Sequence, residues 1–236
     1  LSVCLVDCQT TGCSAGDAHI LEVGWGTYAA SCSPDTFRHD ALNTRLVPLP
    51  DGVSIPGYIA RMTGLDDRDL AEAHPPDATR SSIHQSLTSA SVCVAHYAQF
   101  ERRFLGPFID DDADDAALTW LCTHDIAARL YPGLPRRGLR AMAGYFGHRV
   151  PEKKRAGAHT VATAVVWRHL VDELRHSEGV TGLEGLQTWL DETSEERTDS
   201  LTYSIDRQRR LRLPERPGVY TFLTSNDDAL YVADDG

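Results

Sequence analysis

The sequence predicts an α/β or α+β domain built on a mixed β-sheet flanked by helices, and three observations carry this. Three strand-like runs separated by turns occupy the first fifty residues. Apolar residues then recur at helical spacing, and a further short apolar run, Ser91 to Ala95, falls between two helical segments. Strands first, then a strand alternating with helices, is the order from which a mixed sheet with flanking helices is assembled.

The elements follow in order. Val3-Cys4-Leu5-Val6 is continuously apolar and ends at Asp7 before the Thr10-Thr11-Gly12 turn, the signature of a buried strand that delivers a carboxylate at its end. His19 to Gly26 reads as a second strand and Thr44 to Pro48 as a third, so the first three form a meander. A helix is expected after Pro56, through Ile59 and Met62 to Thr63-Gly64-Leu65, and another over Ser81 to Leu87. The strand at Ser91 to Ala95 leads directly into the helical segment HYAQFERRFL. Asp110 to Asp115 reads as an acidic surface loop. Helices are expected over Thr123 to Leu130, Gly138 to Phe146 and Ala158 to Arg175, the last with His159, Ala162, Val166, Leu170 and Leu174 on one face, so that His159 begins a core-facing stripe. Beyond Ser177 the chain is polar, with a short helix around Leu183 to Leu190 and the charged stretch DETSEERTD. It ends with two strand-like runs, Gly218 to Phe222 and Ala229 to Val232, flanking Ser225-Asn226-Asp227-Asp228.

Composition narrows the function. A chain of 236 residues, 42% hydrophobic, buries one sizeable core with a small second unit. No apolar stretch approaches the roughly 18 to 20 residues of a membrane span and no basic leader opens the chain, so a soluble, cytoplasmic protein is expected. The six cysteines, Cys4, Cys8, Cys13, Cys32, Cys93 and Cys122, show no CxxC pairing and read as small buried thiols in a reducing compartment. A formal net charge of −11 argues against a general nucleic-acid-coating surface and leaves room for a local basic rim.

The chemistry lies in Val6-Asp7-Cys8-Gln9-Thr10-Thr11-Gly12. Alternation along an extended segment points residues 7 and 9 to the same face, where both can address one centre. This segment resembles the first motif of the DEDDh exonuclease superfamily, the DnaQ-like group of the polymerase III epsilon type, written DxETTG, and His96-Tyr97-Ala98-Gln99-Phe100-Glu101 resembles its second motif, HNxxFD, with Glu101 in place of Asp. The blocks ILEVG, IPGYIARMTGLDD and CTHDIAARLYPGLPRRGLRAMAGYFG occur in matching order, and the resemblance covers roughly residues 1 to 175. It implies a ribonuclease H-like fold and a metal-dependent 3′→5′ exonuclease acting on DNA ends in replication or repair. Asp7, Gln9, Glu101 and His159 are then the catalytic set, with Asp7 and Glu101 as metal ligands. Thr10, Thr11, His96, Lys154 and Arg155 are the implied nucleic-acid-binding residues, and the implied partner is a single-stranded or frayed 3′ end. His96 also fits a structural histidine at a helix start. Arg136, Arg137, Lys153, Lys154 and Arg155 form either a phosphate-contacting rim or a solvated basic loop.

The third motif departs from the family pattern, a His followed after four residues by Asp. Aligning on Ala162-Thr163-Ala164 sets His159 at the Asp and Lys154 at the His; aligning His159 on the family His leaves Ala164 at the Asp. Either way the final carboxylate is missing, because no Asp or Glu lies between Glu152 and Asp172. The family mechanism places two Mg²⁺ or Mn²⁺ ions about 3.5 to 4 Å apart to activate water and stabilise the leaving oxygen. Hard ions require charged oxygen ligands, and Gln9 offers a neutral carbonyl. Imidazole at His159 favours Mn²⁺ over Mg²⁺, so Mn²⁺ is the expected cofactor of an active enzyme. The alternative is a catalytically inactive domain that keeps the cleft and holds a nucleic-acid end.

The tail has its own resemblance. Pro217-Gly218-Val219-Tyr220 and Tyr231-Val232-Ala233 are similar to the opening hairpin of a GIY-YIG nuclease, with Ala233 replacing the usual Gly. The expected organisation is an exonuclease-like domain over residues 1–176, a linker with a short helix over 177–212, and an incomplete GIY-YIG-like hairpin over 213–236 that precedes a fused endonuclease.

Overall fold

The computed structural model describes residues 2–29, 42–71, 73–109 and 119–192, together with the backbone of two strands at 219–223 and 229–234. The acidic stretch from Asp110 to Asp115, Cys32, most of DETSEERTD and the turn at 225–228 lie outside the described residues.

The first compact unit runs to Thr193 and is built on a five-stranded sheet. Its strands are β1 (Ser2–Thr10), β2 (Ile20–Ala29), β3 (Leu42–Leu46), β4 (Val92–Ala95) and β5 (Trp120–Cys122), in the order β3-β2-β1-β4-β5. β1 pairs antiparallel with β2 and parallel with β4, so the meander and the mixed sheet are both present. Val3 to Val6 are fully buried because β1 is central and covered on both faces.

Alternation along β1 separates two cores. Val3 and Leu5 pack with α7 (Ala156–Ser177), α5 (Thr123–Leu130) and α6 (Leu139–Tyr145). Cys4, Val6 and Cys8 pack on the other face with α3 (Pro76–Thr88) and α4 (Ala98–Ile109). A small third cluster joins Leu21 to α1 (Gly57–Thr63) and α2 (Asp67–Ala71).

Helix α3 begins five residues before the predicted Ser81, because Pro75-Pro76 reads as a break although proline is well suited to a helix's first turn. Helix α7 begins at Ala156, two residues before the predicted start. Its first turn is held by a carboxylate from β2, a contact that local periodicity does not carry.

The polar segment after residue 176 opens on a packed helix, α8 (Gly182–Asp191), and the first unit includes it. Leu186 and Trp189 are buried in the core with α7, the Arg129 guanidinium lies 4.3 Å over the Trp189 ring, and Arg129 Nη1 donates to the carbonyls of Leu190 and Glu192 at 3.2 and 2.7 Å. Leu186 and Trp189 lie three apart on one face of the helix, and Leu183 and Leu190 pack beside them as partly buried residues, so an apolar stripe docks a segment that is otherwise polar.

The second unit contains the two-stranded antiparallel sheet of β6 (Val219–Leu223) and β7 (Ala229–Asp234), with Tyr220 opposite Ala233 and Phe222 opposite Tyr231. Among the described residues no helix is long and apolar enough to cross a membrane.

Candidate active site

The site forms at the carboxyl end of β1, where that strand outruns β4. The parallel pairing stops at Leu5–Val94, while β1 continues to Thr10. The Cys8 N–H, past the end of that ladder, donates to Glu101 Oε2 at 2.8 Å. Glu101 sits in the first turn of α4 at only 4% exposure, so a carboxylate 93 residues away in sequence is carried to β1.

Asp7 and Gln9 share a face, as strand alternation predicts, and Gln9 Nε2 donates to Asp7 Oδ2 at 2.7 Å. His159 reaches the pair from the first turns of α7, with Nδ1 at 3.3 Å from Asp7 Oδ1 and 3.4 Å from Gln9 Nε2. His159 thus starts the α7 stripe at the cleft rather than within the core, and Ala162, Val166, Leu170 and Leu174 below it are the buried part. Burial raises the pKa of Asp7, with the His159 contact opposing it; burial also raises that of Glu101, and the Asp7 charge pushes it further up. Two acids in one poorly solvated place thus oppose each other's ionisation.

Glu22 is the side chain that seats α7. It is 1% exposed; Oε2 accepts the Ala156 N–H at 2.8 Å, and both oxygens accept from Arg155. A carboxylate at a helix N-terminus satisfies an orphan N–H and complements the helix dipole. Gly24, two residues on, lets the helix approach, since a Cβ there would stand 2.6 Å from Thr160 Oγ1 and 2.7 Å from the Ala156 backbone. Glu22 was visible as a lone acid inside the apolar run Ile20-Leu21-Glu22-Val23, a pattern that demands a buried partner.

The remaining predicted residues divide. Asp7, Gln9, Thr10, His96, Glu101, Lys154 and His159 line one cleft of about 1520 Å³. Thr10 and Thr11 build the turn: Thr10 Oγ1 donates to the Gly12 carbonyl at 2.6 Å and Thr11 Oγ1 accepts from the His19 N–H at 2.9 Å. Thr11 and Arg155 are not on the cleft wall, and the guanidinium of Arg155 is directed instead to Glu22, because a buried carboxylate is a stronger partner than solvent. Lys153 Nζ donates to the Arg61 carbonyl at 2.7 Å, and Arg137 Nη1 to three carbonyls of the loop before it. Arg136 and Lys154 are therefore the cations of the predicted rim that line the cleft with no side-chain hydrogen bond among the described residues. His96 is buried, with Nδ1 2.8 Å from Thr123 Oγ1, and burial pushes its pKa down to about 4, so it is a neutral ring at pH 7.

These residues do not fit a pair of divalent ions. Asp7 already accepts an amide donor, Glu101 already accepts a backbone N–H, and the amide and imidazole stand where further acids would be needed. Among the described residues no three His, Cys, Asp or Glu side chains are grouped to hold a metal. Two carboxylates against four positive charges leave such a pair largely uncompensated.

No sequence-family profile and no curated protein matches the chain. Similarity appears in three dimensions. Exonuclease X, solved with 5′-overhanging duplex DNA, superposes with a TM-score of 0.56 at 18% identity, covering 80% of this chain and 99% of that one. E. coli exonuclease I with a dT13 oligonucleotide gives 0.61 at 13% identity over 75% of this chain, which spans 42% of that enzyme. The ribonuclease domain of yeast Pop2 gives 0.61 at 10% identity, covering 74% of this chain and 78% of that domain. The three are nucleases by name, and the five-stranded mixed sheet with its flanking helices has the ribonuclease H-like fold that they share.

Proposed function

We propose that this chain holds the 3′ end of a nucleic acid, DNA with a single-stranded or frayed terminus, in an exonuclease-type cleft whose hydrolytic ion pair has been replaced by a hydrogen-bonded cluster. One observation carries the reading: Gln9 Nε2 lies 2.7 Å from Asp7 Oδ2, so a neutral donor takes the carboxylate that a cation would need. His159 adds a second nitrogen at 3.3 Å. These groups stabilise Asp7 without metal, and nothing in the cluster activates a water for in-line attack.

Nucleic acid is the ligand class supported by the fold, by neighbours solved with DNA, and by Arg136 and Lys154 on the cleft wall. With a net charge of −11, the attraction for phosphate is confined to that wall. The terminal β6–β7 pair supports the further reading of residues 213–236 as the opening of a GIY-YIG nuclease, to which the cleft would present its end.

The test uses a 3′-labelled single-stranded oligonucleotide. Binding is followed by fluorescence anisotropy and shortening by gel, each with Mg²⁺, Mn²⁺ or chelator. Binding that is independent of divalent ions, with no shortening, is expected. The double variant Gln9→Glu/His159→Asp, which returns two acids to the cluster, is expected to gain Mg²⁺-dependent shortening. Mn²⁺-dependent shortening by the unaltered protein would overturn this reading in favour of a weakened exonuclease using Asp7, Glu101 and His159.

A further inference from the structure

Between β4 and α4 the backbone turns through Tyr97, the single non-glycine residue with positive φ (68°) among the described residues. A bulky residue in the left-handed region costs on the order of 1 kcal/mol, so glycine or asparagine would be the favoured choice. Neither burial nor hydrogen bonding explains the tyrosine. It is 48% exposed, and its hydroxyl makes no hydrogen bond among the described residues. What the conformation does achieve is a ring arrangement. Tyr97 stacks on His124 with centroids 4.5 Å apart and planes 30° apart, and the edge of His96 packs against Tyr97 at 4.8 Å and 80°. All three rings line the cleft that contains Asp7 and Glu101.

Resting on the nucleic-acid reading above, we propose that the Tyr97–His124 stack is a platform for one unpaired base of a strand bound in the cleft. An exposed aromatic ring held at a fixed angle offers a flat face to any base, and such stacking is worth about 1–3 kcal/mol per base with little sequence preference. Arg136 and Lys154, which line the same cleft, supply cations to the phosphates of that strand. His96 is 5% exposed on the same cleft, its Nε2 makes no hydrogen bond of normal geometry among the described residues, and the polar edge of a nucleotide can partner it. A strained residue that neither packs in the core nor forms a hydrogen bond is the pattern expected of a ligand clamp.

The experiment compares oligonucleotide affinity for the unaltered protein, Tyr97→Ala and Tyr97→Phe, using strands that carry a single abasic site at successive positions from the 3′ end. Tyr97→Ala is expected to weaken the intact strand about tenfold, which corresponds to about 1.4 kcal/mol. Tyr97→Phe is expected to retain affinity, because the ring and not the hydroxyl stacks. At one abasic position the unaltered protein and Tyr97→Ala should bind equally, since the base that stacks is gone. Should Tyr97→Ala bind the intact strand as well as the unaltered protein, or should its deficit persist at every abasic position, the platform is overturned while nucleic-acid binding stands. Should the unaltered protein bind no oligonucleotide, the parent reading falls and the platform with it.

Discussion

Glu22 and Arg155, 133 residues apart, meet in a two-pronged ion pair: Arg155 Nε lies 3.0 Å from each carboxylate oxygen and Nη2 lies 2.7 Å from Oε1. The same carboxylate accepts the first N–H of α7, so one side chain on β2 sets where that helix starts. His159 follows one turn later, opposite Asp7. The geometry of the cluster therefore depends on a pair that touches none of its members through a hydrogen bond.

Removing that anchor should be costly. Glu22→Ala leaves the guanidinium and the helix N–H without their acceptor and is expected to lower stability by about 3 kcal/mol, the low end for a broken buried pair because the Arg155 side chain is 42% exposed. Urea denaturation followed by circular dichroism measures it. Glu22→Gln, which keeps one acceptor oxygen, should lose less.

Gln9→Glu sets a third acid against Asp7 and Glu101, two groups that burial already drives toward the neutral form. In chelator the variant is expected to melt several degrees below the unaltered protein, at roughly 2–4 °C per kcal/mol for a chain of this size. Mn²⁺ should recover the loss, because a cation neutralises what the amide donor no longer does. The unaltered protein should melt at the same temperature with or without Mn²⁺; a clear rise would show an ion held by Asp7 and Glu101.

His96 predicts an acid limb of stability. Its folded pKa of about 4 lies below the roughly 6.5 of an unfolded histidine, so the unfolded chain takes up its proton first as pH falls. Its contribution is therefore level above about pH 6.5 and declines toward pH 4, by roughly 2–4 kcal/mol at the bottom of the window. His96→Gln should flatten the pH dependence of the denaturation midpoint between these values. An unchanged slope would mean that His96 does not stay neutral in the fold.

Trp189 tests where the first domain ends. Trp189→Ala removes a buried ring that also carries the Arg129 guanidinium and donates Nε1 to Glu178 at 3.1 Å. A loss of about 3–5 kcal/mol is expected from thermal or chemical denaturation. A loss below about 1 kcal/mol would return α8 to the linker and the boundary to residue 176.

Much of this protein is determined locally. Side-chain alternation by itself places Asp7 and Gln9 on one face, and the continuous apolar run Val3 to Val6 marks β1 as a strand covered on both sides. The helical spacing of Ala162, Val166, Leu170 and Leu174 marks α7, and the absence of any acid between Glu152 and Asp172 is plain from the sequence. These features follow from side-chain period and charge, which neighbouring residues set among themselves. Tertiary structure decided which distant groups meet. Periodicity began the core-facing stripe at His159 while the motif resemblance set it in the site, and the seating of α7 on Glu22 brings it to Asp7; charge left Arg155 to a phosphate rim or a solvated loop, whereas Glu22 captures it. The polarity of the segment after Ser177 suggested a linker, yet Leu186 and Trp189 bury one face of α8. A buried carboxylate must find a partner and an exposed ring must find a neighbour, and the chain's long-range path selects both.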